Sequence, residues 1–493
     1  MKRIFVLAGI IVLGTALVCG VYLTYLEFVA PASVVAASGQ PQPSVTALEP
    51  VQIAIYDVDA MAARMPSSKD YYAKLRDEAL AVYSHGHPTS TPYDDEAKAA
   101  IRLGAYYMTW SDFYGEGVLR DLALFQESAE HKGCSDPMLC DLETNAWDDT
   151  HYPNNDARSV QICNEMLTAA QGNSPAAFKL WDTQTAVITT LSYNRRAQTL
   201  QLNPPSMQML PKVISLWEQS LAELIKDKAP DYVIYGMPSK LLAGCQCDEA
   251  TMNLVIAAID QAYNETGTDS GLRVALDGDY FIEMAWAARG SGYANTVSDQ
   301  QSLVFDQRLS QAQGILETAF EKYPHEANIS IEMITVCLGK SLGRDTMESW
   351  FQRAIKADPN NIYAYSCKAY FLQPRWYGTP DDEVKSVQEC VATQNWTFKI
   401  PMVLASGLDS VADNGDRDIF AHDEVWKLAE STYRKYLEIY PRSTKYRSYF
   451  LRAAFLGNHQ DVVREQYKIL GKNWDGLILS EEEYKAITTS VGL

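Results

Sequence analysis

The chain has 493 residues, of which 47% are hydrophobic and 21% are charged, and its formal net charge is -20. This length exceeds what one compact core usually needs, so we expect two or three domains or one extended array. The apolar content excludes a generally disordered chain. The negative charge argues against nucleic acid as a partner. Basic partners or divalent cations are compatible with it, although a generally acidic, soluble surface explains it as well.

Residues 1–30 are predicted to be a membrane anchor or signal sequence. The 23 residues from Ile4 to Leu26 carry no charge and follow Lys2 and Arg3. A helix of that length spans a bilayer core of ~30 Å with the basic end in the cytoplasm. We therefore expect a single-pass protein of the bacterial inner membrane with its soluble part in the periplasm. The alternative is export after signal cleavage, for which residues 35–37 offer small side chains.

Three further regions follow along the chain. Residues 31–50 are rich in proline and small side chains and are predicted to be a linker. Residues 51–230 show helical patterns without a repeat period, which indicates an irregular helical domain. Residues 231–493 are predicted to form a tetratricopeptide-like helical repeat domain. Membrane contact is expected through the N-terminal helix only.

Two weak motifs lie in the irregular region. His85 and His87 precede an acidic run at residues 94–96, but two histidines without a third fixed ligand are insufficient evidence for zinc or copper. We therefore predict no metal and no cofactor. Cys134 and Cys140 bracket a short loop that a disulfide could close in an exported chain.

A repeat signal begins near residue 309. Apolar residues recur at three- and four-residue steps in three segments, residues 309–320, 347–355 and 425–440, so each segment is predicted to be a helix with one buried face. Pro324 and Pro359 follow the first two segments at an offset of 35 residues, and Pro441 follows the third. A helix-ending proline and a period near 34 residues are typical of tetratricopeptide repeats. The 82 residues from Pro359 to Pro441 are not two periods, which predicts an insertion that includes Trp376 and Tyr377.

Two segments also resemble a bacterial family of unknown function, domain-of-unknown-function family 4034, which is itself similar to tetratricopeptide proteins. The first is Ala-Trp-Ala-Ala-Arg-Gly-Ser-Gly at residues 285–292, and the second runs through residues 351–390 with Asp-Pro-Asn, Lys-Ala-Tyr and Trp-Tyr-Gly. The likeness covers roughly residues 180 to 460. It implies a helical repeat fold and no known activity, so no functional residue is carried over.

Four residues are candidates for binding. Trp286 and Arg289 lie three positions apart on a predicted helix, where the guanidinium can stack on the indole as an internal pair or contact a ligand. Trp376 and Tyr377 are aromatic residues in a loop, a common setting for protein contacts.

The expected fold is therefore all-α: a tetratricopeptide-like α-solenoid with an irregular N-terminal helical region and one transmembrane helix. The sequence contains no phosphate-binding loop, dinucleotide fingerprint or hydrolase motif. We expect a non-enzymatic scaffold that binds an unknown protein or peptide outside the cytoplasm, with no catalytic residue. The alternative is an enzyme, or a small-ligand or metal-binding protein, with a site in the N-terminal half.

Overall fold

Every regular element in the described part of the chain is helical. The computed structural model describes residues 68–109, 171–200, 209–245 and 248–492, apart from positions 291, 293, 442, 472, 473 and 477, together with a few isolated positions between 62 and 136. For these residues the all-helical prediction is confirmed. None of their helices has the length and apolar character needed to cross a bilayer. The predicted anchor, the linker and Cys140 lie outside the described residues.

The N-terminal half contains helices of very different length. In chain order they are α1 (Lys69–Gly86), helical residues 94–109, α2 (Ala176–Leu200), α3 (Leu210–Lys226), a π-helix (Tyr232–Gly236), α4 (Met237–Gly244), α5 (Glu249–Thr266) and α6 (Gly271–Arg289). The helix α6 ends at Gly290, whose positive φ of 73° favours glycine.

The C-terminal half contains shorter helices in closer succession. They are α7 (Asp299–Lys322), α8 (Ala327–Lys340), α9 (Arg344–Ala357), α10 (Ile362–Phe371), α11 (Pro380–Ala392), α12 (Val403–Asn414), α13 (Asp423–Ile439), α14 (Thr444–Leu456), α15 (Gln460–Leu470) and α16 (Glu481–Ser490). The three segments predicted from periodicity lie in α7, α9 and α13.

These helices pack in two rows. The even-numbered row consists of α6, α8, α10, α12 and α14, and each of its helices contacts the next one in the row. The odd-numbered row consists of α7, α9, α11, α13 and α15, and each of these packs against one or two even-numbered neighbours. In α8 every residue from Ala327 to Leu338 is buried, whereas α9 buries one stripe and exposes the rest. The even-numbered row therefore supplies much of the core.

Three joints between the rows have the same construction. The helices α7, α9 and α13 each end two residues before a proline, and α8, α10 and α14 each begin three residues after it. The intervening residue is extended, with φ of -125° at Tyr323, -141° at Asp358 and -125° at Tyr440. Because a residue before proline is disfavoured in the α region, the sequence itself ends each helix there.

The next helix in each joint is capped by a side chain. Glu326, Asn361 and Ser443 accept hydrogen bonds from backbone N–H groups in the first turns of α8, α10 and α14. These bonds satisfy donors that the helix itself leaves unpaired. Proline and cap together make the joints sequence-encoded.

The 82-residue gap contains a complete helix pair, which differs from the predicted insertion. After the loop from Gln373 to Thr379, α11 begins with a capping box between Thr379 and Asp382, and α12 follows. The turn between them has no helix-ending proline and uses left-handed residues at Gln394 and Lys399 instead. The period was undetectable because this pair lacks the proline of the other joints.

The buried residues form two hydrophobic clusters. One runs from Ala62 to Val403 and the other from Val387 to Ile487. The first joins the N-terminal half to the even-numbered row, and the hydroxyl of Tyr235 on the π-helix donates to Oε1 of Glu332 on α8 at 2.7 Å. Residues on both sides of position 230 thus share one core.

Candidate functional site

Three of the four sequence candidates meet in an internal aromatic cluster. The ring of Trp286 lies 4.9 Å from that of Phe305 on α7 and 6.1 Å from that of Trp376. The guanidinium of Arg289 lies 5.6 Å from the Trp286 ring and donates to the carbonyls of Gly290 and Gly292. All three candidates are half-buried. They join α6, α7 and the loop before α11.

The fourth candidate, Tyr377, points elsewhere. Its ring stacks on Phe371 at 4.8 Å, and its hydroxyl donates to the carbonyl of Leu338 at 3.0 Å and lies 2.6 Å from Oγ of Ser341. It is 40% exposed. These contacts fasten the loop onto the end of α8, and one edge of the ring stays open to solvent.

The histidines of the N-terminal half are not brought together with the acidic run. His85 is exposed, whereas His87 stacks on Tyr83 at 4.5 Å and places Nδ1 3.6 Å from Oδ2 of Asp136. Asp94 accepts from Tyr83 and neighbouring donors, which holds the pKa of its carboxyl well below the usual range. In the described part of the chain, no three His, Cys, Asp or Glu side chains are placed to hold a metal ion.

Cysteine positions give little chemical information. Cys134 is buried, and its predicted partner Cys140 lies outside the described residues, so the disulfide stays a prediction. Burial raises the pKa of the Cys337 thiol to about 12. Such a thiol is protonated and unreactive at neutral pH.

Three carboxyl groups meet between α6 and α8. Asp279, Glu283 and Glu332 are all buried, and burial together with the two glutamates raises the pKa of Asp279 well above its usual value. Tyr235 donates to Glu332 and Ser239 hydrogen-bonds Asp279. A pair of acids this close cannot both ionise cheaply, so the group retains at least one proton at neutral pH.

An open groove between α7 and α9 is the best-formed concave surface in the described part of the chain. Its volume is about 630 Å³. The residues that line it come from the end of α7 and the start and middle of α9; they are Glu317, Phe320, Glu321, Asp345, Thr346, Ser349, Trp350 and Arg353. We call this surface the aromatic groove. Its volume lies in the range typical of binding pockets.

Two aromatic rings form the floor of the aromatic groove. Phe320 and Trp350 meet edge to face, with ring centroids 5.2 Å apart. Trp350 is almost fully buried, and Phe320 is half-buried. The guanidinium of Arg353 lies over both, 4.1 Å from the Trp350 ring and 4.8 Å from the Phe320 ring. A cation is therefore already held on the ring faces, as their electron distribution favours.

The rim of the aromatic groove is acidic. Glu317, Glu321 and Asp345 are exposed, and none of them forms an ion pair with any described residue. Glu317 accepts a hydrogen bond from Gln313 at 2.9 Å. With Arg353 as the one basic residue that lines the groove, three negative charges face one positive charge.

Sequence reasoning assigned Phe320 and Trp350 to buried helix faces and did not detect the aromatic groove. The 35-residue offset places similar faces on α7 and α9, but it contains no information about the space between them. A scan against protein-family models finds no match for this chain, and a search among curated proteins also finds none.

Proposed function

We propose that this chain is a membrane-tethered, non-enzymatic helical-repeat scaffold that binds a protein or peptide partner outside the cytoplasm. The proposed architecture is an α-solenoid of the tetratricopeptide type, in keeping with the resemblance to domain-of-unknown-function family 4034. Three joints of equal spacing and two rows of helices support it. Stacked helix pairs of this kind form extended surfaces that commonly bind peptides.

One observation carries the binding function: the aromatic groove is open, large enough for several side chains and floored by Phe320 and Trp350. Aromatic residues in a concave surface are frequent anchors of protein partners. Trp286, Arg289, Trp376 and Tyr377 would contribute mainly by holding the neighbouring helices in place, with the open edge of Tyr377 as a second contact point.

The test is a crosslinking pull-down from bacterial envelopes with two matched variants. Phe320→Ser removes half of the groove floor, whereas Leu303→Ser removes an apolar side chain that is 52% exposed on the same helix. We expect at least one protein to be captured by the unmodified chain and by Leu303→Ser but lost with Phe320→Ser. Circular dichroism confirms that both variants keep their helix content. Capture that is equal for all three chains would contradict a binding function at this groove.

A further inference from the structure

We propose that the aromatic groove binds a cationic segment of a partner protein, an extended peptide that presents Lys or Arg side chains to the Phe320 and Trp350 rings. This inference rests on the proposed function and specifies the chemistry of its partner. It is carried by the charges of the rim, by the contacts of Arg353 and by the size of the groove.

The first argument is the charge of the rim. Glu317, Glu321 and Asp345 make no ion pair with the described residues, although ion pairs are common elsewhere on these helices, for example between Lys322 and Asp269 at 2.6 Å. Carboxylates that face one another across a concave surface concentrate negative potential inside it. A ligand that brings positive charge gains from all three groups, whereas an acidic ligand is repelled.

The second argument is the position of Arg353. This exposed residue lies in the same groove as three carboxylates, yet its described contacts are with the two aromatic rings. Its guanidinium therefore occupies the place that a partner's Lys or Arg would take, on the ring faces and within the acidic rim. We infer that Arg353 is displaced when the partner binds, because two cations cannot share one ring face.

The third argument concerns the kind of ligand. A volume of about 630 Å³ is larger than one side chain, and the groove is open along the outer surface. A peptide can place several side chains in such a groove, whereas a single metal ion cannot fill it. A second copy of this chain is a poor occupant, since each copy carries a net charge of -20.

The experiment measures binding of three dye-labelled peptides to the full-length chain by fluorescence anisotropy. The peptides have equal length and the same Leu and Tyr positions, and their remaining residues are Lys and Arg, or Glu, or Ser. We expect the basic peptide alone to bind, with an affinity that falls as salt rises from about 0.05 M to about 0.5 M. Binding of the acidic or the neutral peptide with equal affinity would overturn the inference.

Two charge-reversal variants locate the binding. Glu321→Lys combined with Asp345→Lys should weaken binding of the basic peptide at least about tenfold. Glu223→Lys combined with Glu424→Lys makes the same change in net charge at exposed positions on α3 and α13 and should have little effect. An equal loss with both double variants would show that total charge alone attracts the peptide, and the inference would fail.

Arg353→Ala provides a test with the opposite sign. Removing the guanidinium uncovers the rings and makes the groove more negative, so the basic peptide should bind about fivefold more tightly. Weaker binding would mean that Arg353 itself contacts an acidic ligand, and would overturn the inference. The scaffold proposal is scored separately: an envelope protein that is lost with Phe320→Ser supports it even when none of the three peptides binds, an outcome that rejects only the cationic ligand.

Discussion

Glu383 on α11 offers a sharp test of the packing between helix pairs. Its side chain is fully buried, and neither carboxyl oxygen has a hydrogen-bond partner. A Cβ atom added at Gly407 on α12 would lie 2.6 Å from Oε1 of Glu383 and from Cγ1 of Val387, so the glycine lets the two helices approach over the acid. Burial raises the pKa of Glu383 well above its usual value, and Arg375 opposes this rise.

The sign of the effect follows from the two states. The unfolded chain releases this proton near a pKa of about 4.3, whereas the folded chain keeps it to higher pH. The contribution to stability is therefore complete below the unfolded pKa and is lost as the pH rises toward the folded pKa. The slope is about 1.4 kcal/mol per pH unit, so between pH 5 and pH 7 the free energy of unfolding should fall by about 2 to 3 kcal/mol from this group.

Glu383→Gln keeps the shape of the side chain and removes its titration. At pH 5 the variant should differ from the unmodified chain by less than about 1 kcal/mol, because both side chains are then neutral in the folded state. At pH 7.5 it should be more stable by about 2 kcal/mol, since only the unmodified chain has to take up a proton on folding. The variant therefore has a flatter dependence of stability on pH.

The assay is urea unfolding of the full-length chain at pH 5 and pH 7.5, followed by circular dichroism and tryptophan fluorescence. Asp381→Asn, at an exposed position of the same helix, is the matched control and should not change the difference between the two pH values. If Glu383→Gln is destabilised equally at both pH values, the carboxyl group makes a favourable bond in the folded state and the reasoning is wrong.

Three further predictions concern helix packing and helix ends, and the same urea assay checks all of them. A Cβ atom at Gly278 would lie 2.5 Å from Cδ2 of the fully buried Leu316, so Gly278→Ala should cost about 1 to 2 kcal/mol and Leu316→Ala about 3 kcal/mol, while the double variant should be more stable than the sum by at least about 1 kcal/mol; additive losses would refute this fit. Arg452→Met leaves the buried Asp409 carboxylate without its partner and should cost about 3 kcal/mol at neutral pH; an unchanged midpoint would count against this ion pair. Ser480→Ala removes the cap of α16 and should cost about 1 kcal/mol, whereas Ser480→Asp should retain most of the stability.

Helix positions near prolines could be predicted from the sequence because the signals there are local. The apolar stripes of α7, α9 and α13 follow the helical period, and Pro324, Pro359 and Pro441 force the preceding residue out of the helical region. The pair α11 and α12 was missed for the same reason. Its turn at Gln394 and Lys399 depends on left-handed residues that lack a proline signal.

Only the tertiary structure decided which faces meet and what remains open. Periodicity predicts that Trp350 and Phe320 are on buried faces, but the helix spacing determines that their rings form the floor of an exposed groove under Arg353. Trp286 and Trp376 are 90 positions apart, and their contact depends on packing between helices that the chain connects indirectly. Dihedral preferences and amphipathic stripes act over a few residues and are encoded locally, whereas concave surfaces and buried carboxyl groups arise from contacts between distant segments.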